Sequence, residues 1–178
     1  MKQVLLIMFL FGCFMVNGQD VKITQSIEPF KEVKGFDGLS INLIKSSENK
    51  VVISGENTDK VAVVNNDGIL KIRMQIGKIF SGYKTFVDLH YAQDILIIDV
   101  NEDARIVTEQ MIEQDVLELK AQEGGELVVN AIVEQMLIKS VSGGIIKTNG
   151  SSNVQDVQIN TGGVYEGKSF ETNFSTIN

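Results

Sequence analysis

The sequence predicts an all-β solenoid built from coils of about 19 residues, and three observations carry that expectation. The pairs Gly124-Gly125, Gly143-Gly144 and Gly162-Gly163 each stand 19 residues after the one before. A fixed period near twenty residues marks stacked coils. Between residues 39 and 91, short runs alternate apolar and polar side chains and are separated by turn signals, the pattern of half-buried strands. The one long stretch without Gly or Pro, Asn101 to Gln122, tempts a helical reading. Its apolar residues Ile106, Val107, Met111, Ile112, Val116, Leu117 and Leu119 scatter round a helical wheel and form no stripe. Apolar pairs of this kind suit short strands turned by corners.

Composition sets the limits. The chain has 178 residues, 43% hydrophobic and 22% charged, which is a single globular domain's worth. Its formal charge is −7, and its only arginines are Arg73 and Arg105. Nucleic acid is excluded as a partner, because phosphate binding needs a basic face.

At the N-terminus Lys2 precedes an apolar run from Val4 to Val16, followed by Val16-Asn17-Gly18. This is the layout of a secretory signal peptide, and the run is short for a membrane span. Residues 1–19 are therefore expected to be removed, leaving residues 20–178 as one β-solenoid domain with no transmembrane span. Leu10-Phe11-Gly12-Cys13 loosely resembles a lipobox, but Phe11 is bulky there and no polar tether follows, so ordinary cleavage is favoured over a lipid anchor at Cys13. The mature chain then has no cysteine, which removes disulfides, thiolate catalysis and Cys-ligated zinc together.

The elements follow in order. Residues 20–34 are weakly patterned, with Pro29 marking a bend, and the β signal begins at Gly35-Phe36-Asp37-Gly38. Leu39, Ile41 and Leu43 alternate with polar neighbours as a strand. Residues 46–49 turn, residues 51–53 start a second strand ending at Gly55, and residues 61–64 form a third. Asn65-Asn66-Asp67-Gly68 is a turn, since these residues tolerate positive φ. After it Leu70, Ile72 and Met74 point one way, Lys71 and Arg73 the other. Residues 77–82 form a loop, and Val87, Leu89 and Tyr91 share one face of the strand 85–91. Ile95 to Ile98 is a continuous apolar run, expected to be covered on both faces or to lie deep in a core.

In the tail, Leu119, Ile138, Val157 and Thr176 fall on one unit position, and Val128, Lys147 and Glu166 on another. The Gly pairs and Asn149-Gly150 are expected to supply corners, and Ser, Thr, Asn and Gln to form ladders on them. The chain stops at Asn178 partway through a fourth unit. Because a solenoid end needs a cap, the expectation is a domain incomplete at its C-terminus.

The stretches Val33-Lys34-Gly35-Phe36-Asp37-Gly38-Leu39-Ser40-Ile41, Val51-Val52-Ile53-Ser54-Gly55-Glu56-Asn57 and Asp67-Gly68-Ile69-Leu70-Lys71-Ile72 resemble the opening of the head GIN domain. The later coils ending in Ser-Gly-Gly or Thr-Gly-Gly are similar to that family's second half. The family is that of the "putative auto-transporter adhesins", common in Bacteroidetes envelopes. The resemblance runs from about residue 28 to the end. It implies a right-handed parallel β-helix or β-roll exported to the periplasm, outer membrane or cell surface, and it brings no catalytic residues.

Chemistry is sparse. His90, the only histidine, shares a strand face with Asp88 and Lys84, but no nucleophile elbow accompanies it, and a solvated strand face is the expected reading. Calcium rolls are excluded because the Gly and Asp of the nonapeptide's second half are missing. Asn101-Glu102-Asp103 reads as a solvated acidic turn. A carbohydrate-active enzyme would need clustered carboxylates beside a cation in a groove. Asp156 and Glu166 sit at different unit positions, with only Lys139, Lys147 and Lys168 to serve them. No cofactor or metal is implied. The loop from Lys78 to Phe86 is the candidate contact surface, with Lys78, Phe80, Tyr83 and Lys84 as its binding residues, since exposed aromatics stack on sugars and mark interaction sites. The alternative for Phe80 and Phe86 is packing over an open solenoid end. The expected function is an exported, non-enzymatic adhesin-like or envelope-interaction module meeting a cell-surface glycan or protein. The alternatives are a carbohydrate-active enzyme and a periplasmic binding or regulatory module.

Overall fold

The computed structural model describes residues 22–178, so the expected signal peptide and Cys13 lie outside the described residues. Among the described residues the regular elements are thirteen strands and two single 3-10 turns, Thr58–Lys60 and Gly82–Lys84. All thirteen strands join one sheet that curls on itself.

The strands up to residue 91 are short. They are β1 (Ile23–Ser26), β2 (Glu32–Gly35), β3 (Ser40–Lys45), β4 (Lys50–Gly55), β5 (Val61–Asn66), β6 (Ile69–Met74) and β7 (Thr85–Tyr91). Then come β8 (Ile97–Val100), β9 (Arg105–Thr108), β10 (Ile112–Ala121), β11 (Glu126–Ser140), β12 (Ile145–Ile159) and β13 (Val164–Ile177). The sequence reading missed β1 and most of β2, because Gly35 to Gly38 holds the last residue of β2 and the turn after it, and not the start of a strand. The stretch 101–122 is β as expected, with β9 and β10 separated by a corner.

Parallel pairing builds two stacks that share one core. One runs β6–β2–β8–β10 and continues through the C-terminal halves of β11, β12 and β13. The other runs β7–β3–β9 and continues through the N-terminal halves of the same three strands. The N-terminal end of each stack finishes in antiparallel pairs, β5 on β6 and β1–β4 on β7. Side chains alternate across each strand, so Leu39, Ile41, Leu43, Leu70, Ile72, Val87, Leu89, Ile98, Ile106 and Leu119 meet in a single buried cluster.

The Gly-Gly period is the register of this stack: Glu126 lies beside Ile145 and Ile145 beside Val164. The turns between the stacks place consecutive residues in the left-handed region: Asp37 and Gly38, Glu102 and Asp103, Glu123 and Gly124, Ser142 and Gly143, Thr161 and Gly162. In Gly143-Gly144 the two glycines answer different demands. Gly143 has φ +77 and open space around it, whereas a Cβ on Gly144 would lie 2.2 Å from the Ala121 carbonyl oxygen. Conformation selects the first glycine and close backbone approach the second.

Three expectations need correction. Thr176 does not share a column with Leu119, Ile138 and Val157, because the register shifts by one residue between Lys147 and Asn149 and puts Ile177 beside Val157. The cause is a bulge at Gly167-Lys168, where Tyr165 turns its ring inward. A Cβ on Gly167 would lie 2.5 Å from the Tyr165 hydroxyl oxygen. Asn149-Gly150 is not a turn between strands, since both residues lie inside β12, at the point where that strand passes from one stack to the other. The Ile95–Ile98 run is not covered on both faces: Ile95 and Ile98 are buried while Leu96 is 42% exposed.

The interior changes character along the stack. Val129 is followed by Thr148, Val133 by Ser152 and Met136 by Gln155. Tyr165 joins this interior, its hydroxyl 2.8 Å from Thr148 Oγ1 and accepting a 2.7 Å bond from Gln155 Nε2. Hydrogen bonds thus replace aliphatic packing in the last coils, as buried polar groups require. Amide ladders form on the outside as expected, with Asn149 on Asn130 at 3.4 Å and Asn173 on Asn153 at 3.1 Å.

Candidate contact surface

The loop between β6 and β7 is held by one buried carboxylate. Asp37 sits at φ 62 in the β2–β3 turn, a conformation Asp adopts more readily than most residues. Its Oδ2 accepts the Met74 amide at 2.9 Å and its Oδ1 the Phe80 amide at 3.2 Å. Its backbone carbonyl accepts the Gly82 amide at 3.0 Å. The loop closes further on itself through the Ser81 hydroxyl, which donates to the Lys78 carbonyl at 2.5 Å. The loop is therefore tethered at both ends and in the middle.

The tether presents apolar side chains to solvent. Ile76 is 85% exposed, Ile79 52%, Phe80 54% and Tyr83 56%, so Phe80 does not pack over a solenoid end. Phe86, 47% exposed on the outer face of β7, does not either. The four residues expected from sequence are brought to one region with different freedoms. Tyr83 lies against Gly38 and donates its hydroxyl to Asp103 Oδ2 at 3.0 Å; this hydrogen bond to a carboxylate raises its pKa. Lys84 pairs with Glu56 at 3.1 Å. Lys78 and Phe80 are exposed and are the members most available to a ligand.

Beside the loop lies an open groove of about 390 Å³ lined by Phe36, Asp37, Val64, Asn66, Lys71, Arg73, Ile79 and Glu102. Sequence reasoning placed Lys71 and Arg73 on the face of β6 opposite Leu70, Ile72 and Met74 but did not connect them to a site. Their alternation with Leu70, Ile72 and Met74 was the available signal. Glu102 holds its proton more tightly than an ordinary glutamate. Desolvation is the main cause, followed by the neighbouring Asp37 and Glu123 carboxylates, with Arg73 opposing.

The other sequence candidates are dispersed. Asp88 accepts a 2.9 Å bond from Asn42, while His90 stands between Ile44 and Lys50 on the neighbouring strands. Asp156 lies beside Leu137 in one stack and Glu166 beside Lys147 in the other. Lys147 is held by Glu126 at 2.9 Å, and Glu126 also meets Arg105 at 3.0 Å. These contacts hold the Glu126 carboxyl below the usual range, the hydrogen bond from Lys147 being the largest cause. Asn101 turns inward, donating to Asp99 at 3.1 Å and accepting from Gln122. Among the described residues no three His, Cys, Asp or Glu side chains come together to hold a metal ion, and no helix is long and apolar enough to cross a membrane.

Comparison with known proteins bears on the whole fold. The family profile DUF2807, described as "Putative auto-transporter adhesin, head GIN domain", matches residues 29–178. No curated protein matches. Among solved structures, one named a putative adhesin from Bacteroides fragilis is similar with a TM-score of 0.81 at 13% identity, covering 90% of this chain and 76% of that one. A putative adhesin from Parabacteroides distasonis gives 0.64 at 14%, over 90% and 78%. A protein from the same organism named a putative lipid binding protein gives 0.64 at 12%, over 91% and 79%. At these identities the likeness is one of fold.

Proposed function

The chain belongs to the head GIN domain family, and from that premise we propose that it is an exported, non-enzymatic adhesin-like module that works by surface contact at the cell envelope. The observation that carries this reading is the Asp37-tethered loop. A contact surface gains affinity when its apolar side chains are already ordered, and Ile79, Phe80 and Tyr83 are held out in that way. In this reading residues 1–19 are the signal peptide, supported by the apolar run from Val4 to Val16. Residues 20–178 are then one domain, delivered to the periplasm, outer membrane or cell surface. The coils are read as a right-handed parallel β-helix, supported by the parallel β10–β11–β12–β13 pairing and by the strong preference of such crossovers for the right hand.

One observation favours the enzyme alternative: the groove brings Asp37 and Glu102 together with Lys71 and Arg73. Asp37, however, is 3% exposed with both oxygens taken by backbone amides. Asp37 therefore serves as a structural anchor, and Glu102 is the other carboxylate lining the groove, short of the free pair that glycoside hydrolysis uses. The lipid binding suggested by one relative's name would need an enclosed apolar cavity, and this groove is open and of mixed polarity.

The test is a binding screen of the purified protein against glycans and matrix proteins, repeated with Ile79→Ala/Phe80→Ala. Binding that the double variant abolishes supports the reading. No ligand tighter than about millimolar, or binding indifferent to the variant, would refute it.

A further inference from the structure

Resting on the contact-module reading, we propose that the groove beside β6 is a binding site for a carboxylated sugar, with Arg73 and Lys71 receiving the carboxylate and Phe36 and Ile79 receiving the apolar face of the ring. Charge supplies the first argument. Ion pairs among the described residues occupy Lys34, Lys45, Lys50, Lys60, Lys84, Arg105, Lys120 and Lys147; of the cations they leave out, Lys71 and Arg73 are the ones that line this groove. Strand pairing explains this. Across the antiparallel hairpin Lys71 stands opposite Val64 and Arg73 opposite Ala62. On the other side Lys71 meets Lys34, whose ammonium is held by Glu32 and Asp99 at 2.8 Å each. In a chain of net charge −7, a guanidinium and an ammonium two residues apart on one strand face and outside any ion pair, with Glu102 the carboxylate that acts on Arg73, form a local anion-attracting spot. A guanidinium recognises a carboxylate in two-pronged fashion, and the ammonium adds a point charge.

The walls give the ligand's class. Phe36 follows β2, donates its amide to the Ile72 carbonyl at 3.1 Å and lines the groove together with Arg73. Val64, 40% exposed, and Ile79, 52% exposed, complete an apolar side. Asn66 and Glu102 add polar groups that can pair with hydroxyls. A flat apolar surface facing hydroxyl-bonding groups, with cations at one end, matches an acidic sugar. An acyl chain would leave the polar lining unsatisfied. The volume of about 390 Å³ lies within the range of small-ligand sites.

The experiment is calorimetric titration of the purified protein with trigalacturonate and sialyllactose as acidic probes, lactose as the neutral probe and palmitate as the lipid probe. The proposal expects at least one acidic sugar to bind and lactose to bind roughly tenfold more weakly or not at all. Arg73→Gln and Lys71→Gln should each weaken the acidic ligand about tenfold, equivalent to about 1.4 kcal/mol, and added salt should weaken it further. Lys139→Gln, on the same outer face away from the groove, should change nothing. Equal binding of lactose, indifference to Arg73→Gln, or binding of palmitate alone would overturn the proposal. Failure of both acidic sugars alongside a positive glycan or protein screen would overturn this site assignment and leave the contact-module reading standing.

Discussion

The Gly143-Gly144 pair offers a direct test of how the coils are held, because its two glycines should fail differently. A Cβ at residue 144 would lie 2.2 Å from the Ala121 carbonyl oxygen and 2.4 Å from its carbon. Ordinary contact is about 3.5 Å, so the neighbouring coil must retreat by roughly 1 Å. Two ladder bonds cross that point, from Val141 to the Ala121 carbonyl at 3.0 Å and from Ile145 to the Gly125 carbonyl at 2.9 Å. Weakening both at about 1 kcal/mol each, with about 1–3 kcal/mol of overpacking, sets Gly144→Ala at about 3–5 kcal/mol. Residue 143 has φ +77 and nothing nearer than the Gly124 nitrogen at 4.0 Å. Gly143→Ala should therefore cost only the left-handed penalty of about 1–2 kcal/mol, and Gly143→Asn less. Urea unfolding, with slopes compared to confirm that the same surface is exposed, reads all three. If Gly143→Ala proves as damaging as Gly144→Ala, the close-approach argument is wrong.

Two further predictions concern polar groups. Tyr165→Phe removes the partner of Thr148 and Gln155 and should destabilise by about 1–2 kcal/mol. Replacing Thr148 by Val in the same variant should recover part of that loss, and a strictly additive double variant would argue against the network. Glu102 has a folded pKa raised mainly by desolvation, so the folded state binds more protons than the unfolded one between the ordinary glutamate pKa and the raised value. Stability contributed by that proton is present below the unfolded pKa and lost as pH rises through the folded one. Glu102→Gln should be more stable than the parent at neutral pH, equal to it in acid, and flatter between. A variant less stable at neutral pH would contradict the burial argument.

The coil architecture was legible because a glycine pair is a local demand repeated at a fixed interval, and local demands leave marks in sequence. Strand faces were legible for the same reason, as Leu70, Ile72 and Met74 against Lys71 and Arg73 show. The bulge at Gly167-Lys168 was not, since nothing in a run of small and polar residues announces one extra residue until Tyr165 is seen folding inward. Gly150 misled because Asn-Gly usually signals a turn, whereas here Gly150, at φ +123, lies inside β12 where a Cβ would stand 2.0 Å from the Ala131 carbonyl oxygen. The groove was invisible because its residues come from five separate segments, from Phe36 to Glu102, and only stacking makes them neighbours. The aromatic loop could be named as a surface; that a buried Asp37 would fix its shape could not.

Equal coils stacked in register make the length of this protein a stepped quantity. Inserting or deleting one 19-residue unit among β11, β12 and β13 would shift everything beyond it by one strand spacing, about 4.8 Å. The antiparallel end that carries the tethered loop and the groove would be untouched. Reach and recognition are thereby separable traits, and selection or design can lengthen the stem in fixed increments without re-solving the tip.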